Sequence, residues 1–520
     1  MGEFSNEERE LHQLSKRYLG INYGYQLWQF SRVHYRLPTS GDKTMNSPVA
    51  LLPLLAFSLG ATATAQIAVD TSVAFHLVNY NSGMALGIEG DSQVAGTDAL
   101  QDPISALKSS LWQFVPEGNN QYLIENLQTG QVLGISDAST APGAAALDWA
   151  DNGTPDHLWQ VIDAGNGQYK LKNVNSGLLL GISSASIAPG AAALQWIDNG
   201  TPDHLWTLEA SGAAYPEPLP VDVQYSSNDT AGIHDPSMIR TLWGYSLFST
   251  HNAIHEHASF DRVHFYDAGM ALSKVPEWTN AFTNSSEDLW APDASPREGK
   301  YWLYYAASSF GSNNSAIGLA TSRTALPGEW LDSGAPVLTS AECEFSNAID
   351  PGVVLDENDT PWLSFGSYYG GIYIVQLDKT TGKVASGATC LHLANRIANF
   401  DAIEGSYIYR HGGYYYLFVS LDFCCQGVNS TYHIGVGRST SATGPYYDRG
   451  GLPMTQGGVT LLLTAHGNII GPGGQTVMRD GSGALLVYHY YDGNNNGFPA
   501  LGLNYLDWSA DGWHVLRNER

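Results

Sequence analysis

The feature that most limits how this chain can fold is a gapless internal repeat. The segments FHLVNYNSGMALGI from Phe75, YLIENLQTGQVLGI from Tyr122 and YKLKNVNSGLLLGI from Tyr169 begin 47 residues apart. Trp112, Trp159 and Trp206, each preceded by Leu, close the three units at the same interval. A fixed period means one supersecondary unit used three times, since one unit of this size cannot bury its own apolar face. Within each unit, short apolar runs are broken by N-S-G or Q-T-G turns, the pattern of hairpins and not of helices. Three such units closing about a pseudo-threefold axis give a β-trefoil, expected over residues 68–210.

A second period follows. From residue 223 the chain alternates Tyr-, Trp-, Ile- and Val-rich runs with Gly, Asn and Asp turns. Asp235, Asp293, Asp350, Glu404 and His466 recur at steps of 58, 57, 54 and 62 residues, each in a short unusual context. Five units of that length, each with a polar residue in a matching place, predict a five-bladed β-propeller over 223–520. In that architecture the inner strands converge, so distant carboxylates meet in one central cavity. The fold class is therefore all-β, a trefoil followed by a propeller. The composition agrees: 56 Gly, 29 Tyr and 14 Trp with only 14% charged residues favour β structure rich in turns. Between the two, Ser211–Asp222 (SGAAYPEPLPVD) reads as a semi-rigid linker joining independently folded units.

The formal net charge of −26 excludes partners that need a basic face. Nucleic acid and anionic membrane surfaces would be repelled, and neutral or cationic partners are expected. Near the N-terminus, Val49–Leu59 is apolar but too short to span a bilayer. With Ala63-Thr64-Ala65 after it, residues 45–65 read as a signal peptide cleaved before Gln66, and residues 1–44 stay unexplained. Secretion to the extracellular space is the expectation. Seven Asn-x-Ser/Thr sequons, at Asn152, Asn199, Asn228, Asn284, Asn313, Asn358 and Asn429, agree with it. Cys343, Cys390, Cys424 and Cys425 allow three disulfide connectivities. Adjacent Cys424 and Cys425 either close a strained vicinal ring or remain free and buried.

The closing L-W-(Q/T) and the L-G-I segments make the first domain resemble ricin B-type lectins. Repeats two and three also share APGAAAL-(D/Q)-W and DNGTPDHLW, whereas repeat one has Asp102 where the others carry Trp149 and Trp196. An exposed indole offers a flat apolar face to a sugar ring, and a neighbouring amide can bond its hydroxyls. Trp149 and Trp196, helped by Asn152 and Asn199, are thus the expected lectin sites. The competing reading places these tryptophans in the core, as Trp159 and Trp206 must be. Repeat one is expected to bind nothing.

In the second domain HDPS, LWAPD, SSFGSNNSAIGLATS, NAIDP, FGSYYGGIY, IEGSYIYRHGGYYYLF, CCQGVNSTY, GRSTSATGPY and GPGGQ occur in order. Together they resemble glycoside hydrolase family 43, in particular its arabinan endo-1,5-α-L-arabinosidases. The resemblance implies Asp235 as general base, Glu404 as general acid and Asp350 as the group that orients the acid and raises its pKa. It further implies inversion by single displacement, with the two catalytic carboxyls ~6.5–9.5 Å apart. Substrate contacts are implied for His234, Trp290, Phe310, Asn347 and Ser367, with Tyr369, Cys424 and Cys425 beside neighbouring subsites. For Phe310 and Tyr369, packing between blades is the alternative. Asp293 would hold the pocket wall.

Many bacterial relatives read GPGH where this chain has GPGGQ at Gly471–Gln475, the His helping to hold a cation near the propeller axis. His466, just upstream, could supply that ligand to a structural Ca²⁺, or the site could hold only water. No cofactor is required for the chemistry itself. The expected substrate is arabinan or a related plant cell-wall polysaccharide, and the expected state a monomer. An exo-acting arabinofuranosidase, a β-xylosidase or a galactanase would use the same three carboxylates. A glycan-binding lectin with an inactive propeller would be the reading from another class, but all three carboxylates are present.

Overall fold

Each closing tryptophan of the repeat is fully buried, and its indole N–H donates to a leucine carbonyl 26 residues earlier. The pairs are Trp112 with Leu86 (2.9 Å), Trp159 with Leu133 (2.8 Å) and Trp206 with Leu180 (3.1 Å). A buried indole needs a partner, and the threefold recurrence of this one pins every unit at the same point. The L-G-I glycine follows from the same packing. A Cβ at Gly134 or Gly181 would stand 2.4 or 2.2 Å from the ring of His157 or His204. In repeat one, Gly87 instead faces Ser109 and Ser110 at 3.7 Å or more. The repeats carry twelve strands in one sheet, which the pairing of Val73–Asn79 with Trp206–Ala213 closes around the predicted axis.

These features come from a computed structural model that describes residues 69–518, except 226–230, 298, 344–345, 398 and 482. The expected signal segment at 45–65 and residues 1–44 lie outside the described residues.

Among the described residues the second half forms five sheets, antiparallel except that Asp222–Val223 adds a parallel strand at the outer edge of the first, and one strand of each is innermost. We number these β1 (Ser237–Thr241), β2 (Trp290–Arg297), β3 (Gly352–Leu355), β4 (Ile403–His411) and β5 (Ile469–Asp480). Each packs on the next and β5 returns to β1, so the ring of the predicted propeller is closed. The true matching positions differ in part from those expected. Asp235, Ala291 and Asp350 each precede a proline at the entrance to an inner strand, with φ of 47°, 43° and 55°. Gly471, before Pro472, has φ 53°. A positive φ at a non-glycine residue is costly and is kept where the surroundings enforce it. Blade two therefore presents Ala291 where blades one and three present carboxylates. Asp293 is buried behind it, accepting the Val353 N–H at 2.8 Å and so tying β2 to β3. Burial pushes its carboxyl up to about 7.

The trefoil does not hang on a free spacer. Val115, Leu123 and Val132 share one buried cluster with Ile403, Leu417 and Leu461 of blade four. The Arg396 guanidinium bridges Asp151 of repeat two and Asp422 of blade four, 2.8 Å from each, with all three side chains buried. Gln113 donates to the Ala465 carbonyl, and the Leu461 N–H donates to the Gly130 carbonyl. The Pro-rich stretch itself is fastened. The Tyr215 hydroxyl donates to buried Glu125 at 2.6 Å, the Leu219 N–H reaches the Leu503 carbonyl, and Asp222–Val223 pairs with His264–Phe265. Proline content suggests stiffness, but docking depends on apolar side chains that emerge from both partners. Cys343 pairs with Cys390, and Cys424 with Cys425.

Candidate active site

A cleft of about 1040 Å³ opens on the propeller where the inner strands begin. Its wall contains His234, Asp235, Trp290, Phe310, Asn347, Asp350, Ser367, Tyr369, Glu404, Cys424 and Cys425, every catalytic and substrate-contact residue expected from the sequence, but not Asp293. Asp235 is held on three sides. Its Oδ2 accepts from the Thr250 hydroxyl at 2.7 Å and lies 3.2 Å from His234 Nδ1, while its own N–H donates to His489 Nδ1 at 3.1 Å. Thr250 also accepts the Ala291 N–H at 2.8 Å, which links the entrances of blades one and two. Burial opposes ionisation of Asp235, but the charge and hydrogen bond of His234, with His489 and Thr250, outweigh it and hold the carboxyl well below the usual range.

Glu404 sits opposite with both oxygens engaged. Ser367 donates to Oε2 at 2.5 Å and the Tyr432 hydroxyl donates to Oε1. Burial is the largest influence and raises its pKa, the Asp235 charge adds to it, and the two hydroxyl donors only partly offset them. Asp350 accepts the Gly405 N–H at 2.9 Å, directly after Glu404, so it fixes the backbone that carries Glu404. Its own carboxyl is pushed well up, first by burial and then by the charges of Glu404 and Asp235. Glu404 and Asp350 thus oppose each other's ionisation, and the Asp235 charge adds to both.

The aromatic residues divide. Phe310 is 82% exposed at the rim, so packing between blades is excluded for it, and Trp290 lies edge-on to it at 6.4 Å between ring centroids. Tyr369 is exposed and its hydroxyl donates to the Gly311 carbonyl. Asn347 is buried with its amide oxygen accepting from Ser315, which fixes the amide and leaves its nitrogen to donate toward the cleft.

Sequence reasoning missed Tyr432, His489, Tyr491 and Phe400. Tyr432 ends the quoted CCQGVNSTY stretch and carried no separate signal. His489 and Tyr491 come from the second strand of blade five, outside any periodic position. The Tyr491 oxygen accepts the Cys425 N–H at 2.7 Å and lies 2.8 Å from His234 Nε2, so the His234 ring is held between Tyr491 and Asp235. His489 stacks on His234 at 3.8 Å and is fully buried. Burial, then the charge of His234, holds it neutral.

The GPGGQ departure has a steric cause. A Cβ at Gly474 would stand 2.5 Å from Asp235 Oδ1 and 2.7 Å from His489 Nδ1. In this chain the axial space is filled by His489. His466, expected as a metal neighbour, instead lies buried against the linker, its Nδ1 bonded to the Thr464 carbonyl at 2.7 Å and its ring 5.3 Å from Tyr215. Ligand atoms of His234, Asp235 and His489 lie within 4.8 Å of one another. They do not suit a directly bound cation, because the His489 Nδ1 lone pair takes the Asp235 N–H and both His234 nitrogens are engaged.

The two lectin positions also part company. Trp196 is 41% exposed and Asn199 is exposed, whereas Trp149 is half-buried against the turn at Gly96. Asn152 and Asn199 spend their side-chain oxygens on their own turns, on the N–H groups of Thr154 and Thr201. Asp151, next to Asn152, is committed to Arg396.

A deeply held ionised carboxylate facing a carboxylic acid of raised pKa, in a cleft rimmed by aromatics, is the constitution of a glycoside hydrolase. Residues 230–514 match the family described as glycosyl hydrolases family 43, and the chain belongs to it. Residues 66–149 and 155–232 match the ricin-type beta-trefoil lectin domain-like family. The extracellular endo-alpha-(1->5)-L-arabinanase 1 of Bacillus subtilis is 40% identical over 311 residues, 58% of this chain and 94% of that protein. The extracellular exo-alpha-(1->5)-L-arabinofuranosidase ArbA of Cellvibrio japonicus is 35% identical over 295 residues, 54% of this chain and 85% of that protein. Among solved structures, the GH43 endo-arabinanase from Bacillus licheniformis superposes with a TM-score of 0.52 at 40% identity, covering 57% of this chain and 99% of that one.

Proposed function

We propose that this protein is a secreted, inverting hydrolase that cuts α-1,5-linked arabinan internally. The observation that carries this reading is that Asp235 and Glu404 line one cleft, where their surroundings push the two carboxyl pKa values in opposite directions. Asp235 takes a proton from a water that attacks the anomeric carbon, while Glu404 gives its proton to the departing glycosidic oxygen. The C–O bond breaks as the new one forms on the opposite face, and one displacement inverts the centre. Asp350 positions Glu404 through Gly405. Trp290 and Phe310 offer faces to the furanose rings and Asn347 bonds their hydroxyls, while His234 lines the cleft and holds Asp235. Tyr369 and the Cys424–Cys425 pair border the neighbouring subsites. No step runs through a metal.

The sugar platform of the trefoil is Trp196 with Asn199 in repeat three, the more open of the two expected sites. The names of the relatives support extracellular action and an arabinan substrate. An exo-acting arabinofuranosidase is the second reading, favoured by the Cellvibrio relative. A timed product profile on linear, debranched arabinan, with Glu404→Gln as control, separates the two. A ladder of oligosaccharides with early viscosity loss is expected. Arabinose alone from the first minute would assign the exo mode, and full activity of Glu404→Gln would remove Glu404 from the acid role.

A further inference from the structure

Beside the catalytic cleft lies a second cavity of about 480 Å³, and Phe423 and Gln426 belong to the walls of both. One side is propeller, the Asp422–Thr431 segment that also carries the Cys424–Cys425 pair. The other side is trefoil, the turn at Gly118–Asn119 and the loop at Asp151–Thr154 of repeat two. This repeat cannot drift away, because the Asp151–Arg396–Asp422 bridge is fully buried directly at the cavity wall. The same DNGTPDH motif thus has two fates. In repeat three it lies open beside Trp196, and in repeat two it is spent on docking and on walling this cavity.

We propose that the second cavity is a distal subsite for the polysaccharide chain leaving the catalytic cleft, so that repeat two acts as part of the enzyme's groove. This rests on the arabinan reading above. The lining has the chemistry for a neutral sugar: Asn119, Gln426 and Asn429 are exposed amides at the rim, with Thr154 beside them. Leu158 and Phe423 give the apolar surface on which C–H faces rest. The volume falls within the ~300–1,000 Å³ of small-molecule sites. Glu117, Asp151 and Asp422 outnumber the single Arg396, which disfavours an acidic polymer such as a galacturonan. A neutral chain pays no such penalty, and its hydroxyls can donate to carboxylates and bond amides in both senses.

The test is calorimetric titration of short and long linear arabino-oligosaccharides into full-length Glu404→Gln, with and without Asn119→Gly and Asn429→Ala added. Glycine suits the first position because Asn119 has φ 49°. Affinity in the parent is expected to keep rising with chain length beyond what the cleft alone accommodates. The added substitutions should weaken the long ligands by about fivefold for each hydrogen bond removed and leave the short ones in place as an internal check on folding. An identical length dependence in both proteins would overturn the subsite. Absence of binding at every length in both would overturn the arabinan reading and this one with it, whereas binding confined to short ligands would overturn this one alone.

Discussion

Removing the Ser367 hydroxyl should move the alkaline limb of the pH–rate profile upward. Ser367 donates to Oε2 of Glu404 at 2.5 Å, and it is the largest influence holding that pKa down against burial. A hydrogen bond to a charged group contributes about 1.5–3 kcal/mol. Part of this survives when the acid is protonated, since a neutral carboxyl still accepts. A difference of ~1.4 kcal/mol between the two states amounts to one pH unit. The sign is fixed: the donor favours the carboxylate, so its loss keeps Glu404 protonated to higher pH. For Ser367→Ala, kcat/KM on linear arabinan should keep its alkaline limb to about one pH unit higher than the parent. The height of the profile will also fall, because Ser367 lines the cleft, so the limb position is the quantity to read. Tyr432→Phe removes the second donor and should shift the limb in the same direction. An unmoved limb, or one moved downward, would refute the assignment of Glu404 as the acid whose proton is lost there.

Gly474→Ala should disable the enzyme by about 10²-fold or more, since the new methyl meets Asp235 and His489 and a small displacement of a catalytic group costs that much; normal turnover would show that the axis is less crowded. Arg396→Met takes the guanidinium from two buried carboxylates and leaves them His433, a defect of about 3–5 kcal/mol. Differential scanning calorimetry should register it as a lowered Tm with the trefoil–propeller transition broadened or split, and an unchanged thermogram would mean that the seam is not held by this bridge. Exhaustive dialysis against a chelator should leave kcat/KM unaltered, because the histidine lone pairs at the axis are already bonded; activity lost on dialysis and restored by Ca²⁺ would contradict that.

Much of this protein could be read from order and spacing. The 47-residue repeat required a trefoil because only a threefold closure buries three identical faces, and Trp112, Trp159 and Trp206 sit where the period put them. The five inner strands, the three carboxylates and the aromatic rim were legible for a related reason. The carboxylates and Trp290 lie where inner strands begin, and Phe310 and Tyr369 on the loops after the second strands of blades two and three, each in a short motif whose spacing survives folding. Other features had no local signature. His489 and Gly474 are complementary across two strands, and nothing in either segment announces the other until the register of blade five sets them together. Asp293 looked equivalent to Asp235 and Asp350 by count, yet two residues' difference turns it from the cleft into the wall between blades. The fate of the two DNGTPDH loops is the clearest division. Their sequences are identical, so sequence determined their shape. Only the apolar seam on blade four, formed by residues hundreds of positions apart, decided that Asp151 would be buried against Arg396 while Asn199 stayed in solvent. Local conformation follows from nearby residues; burial depends on which distant surface arrives to cover them.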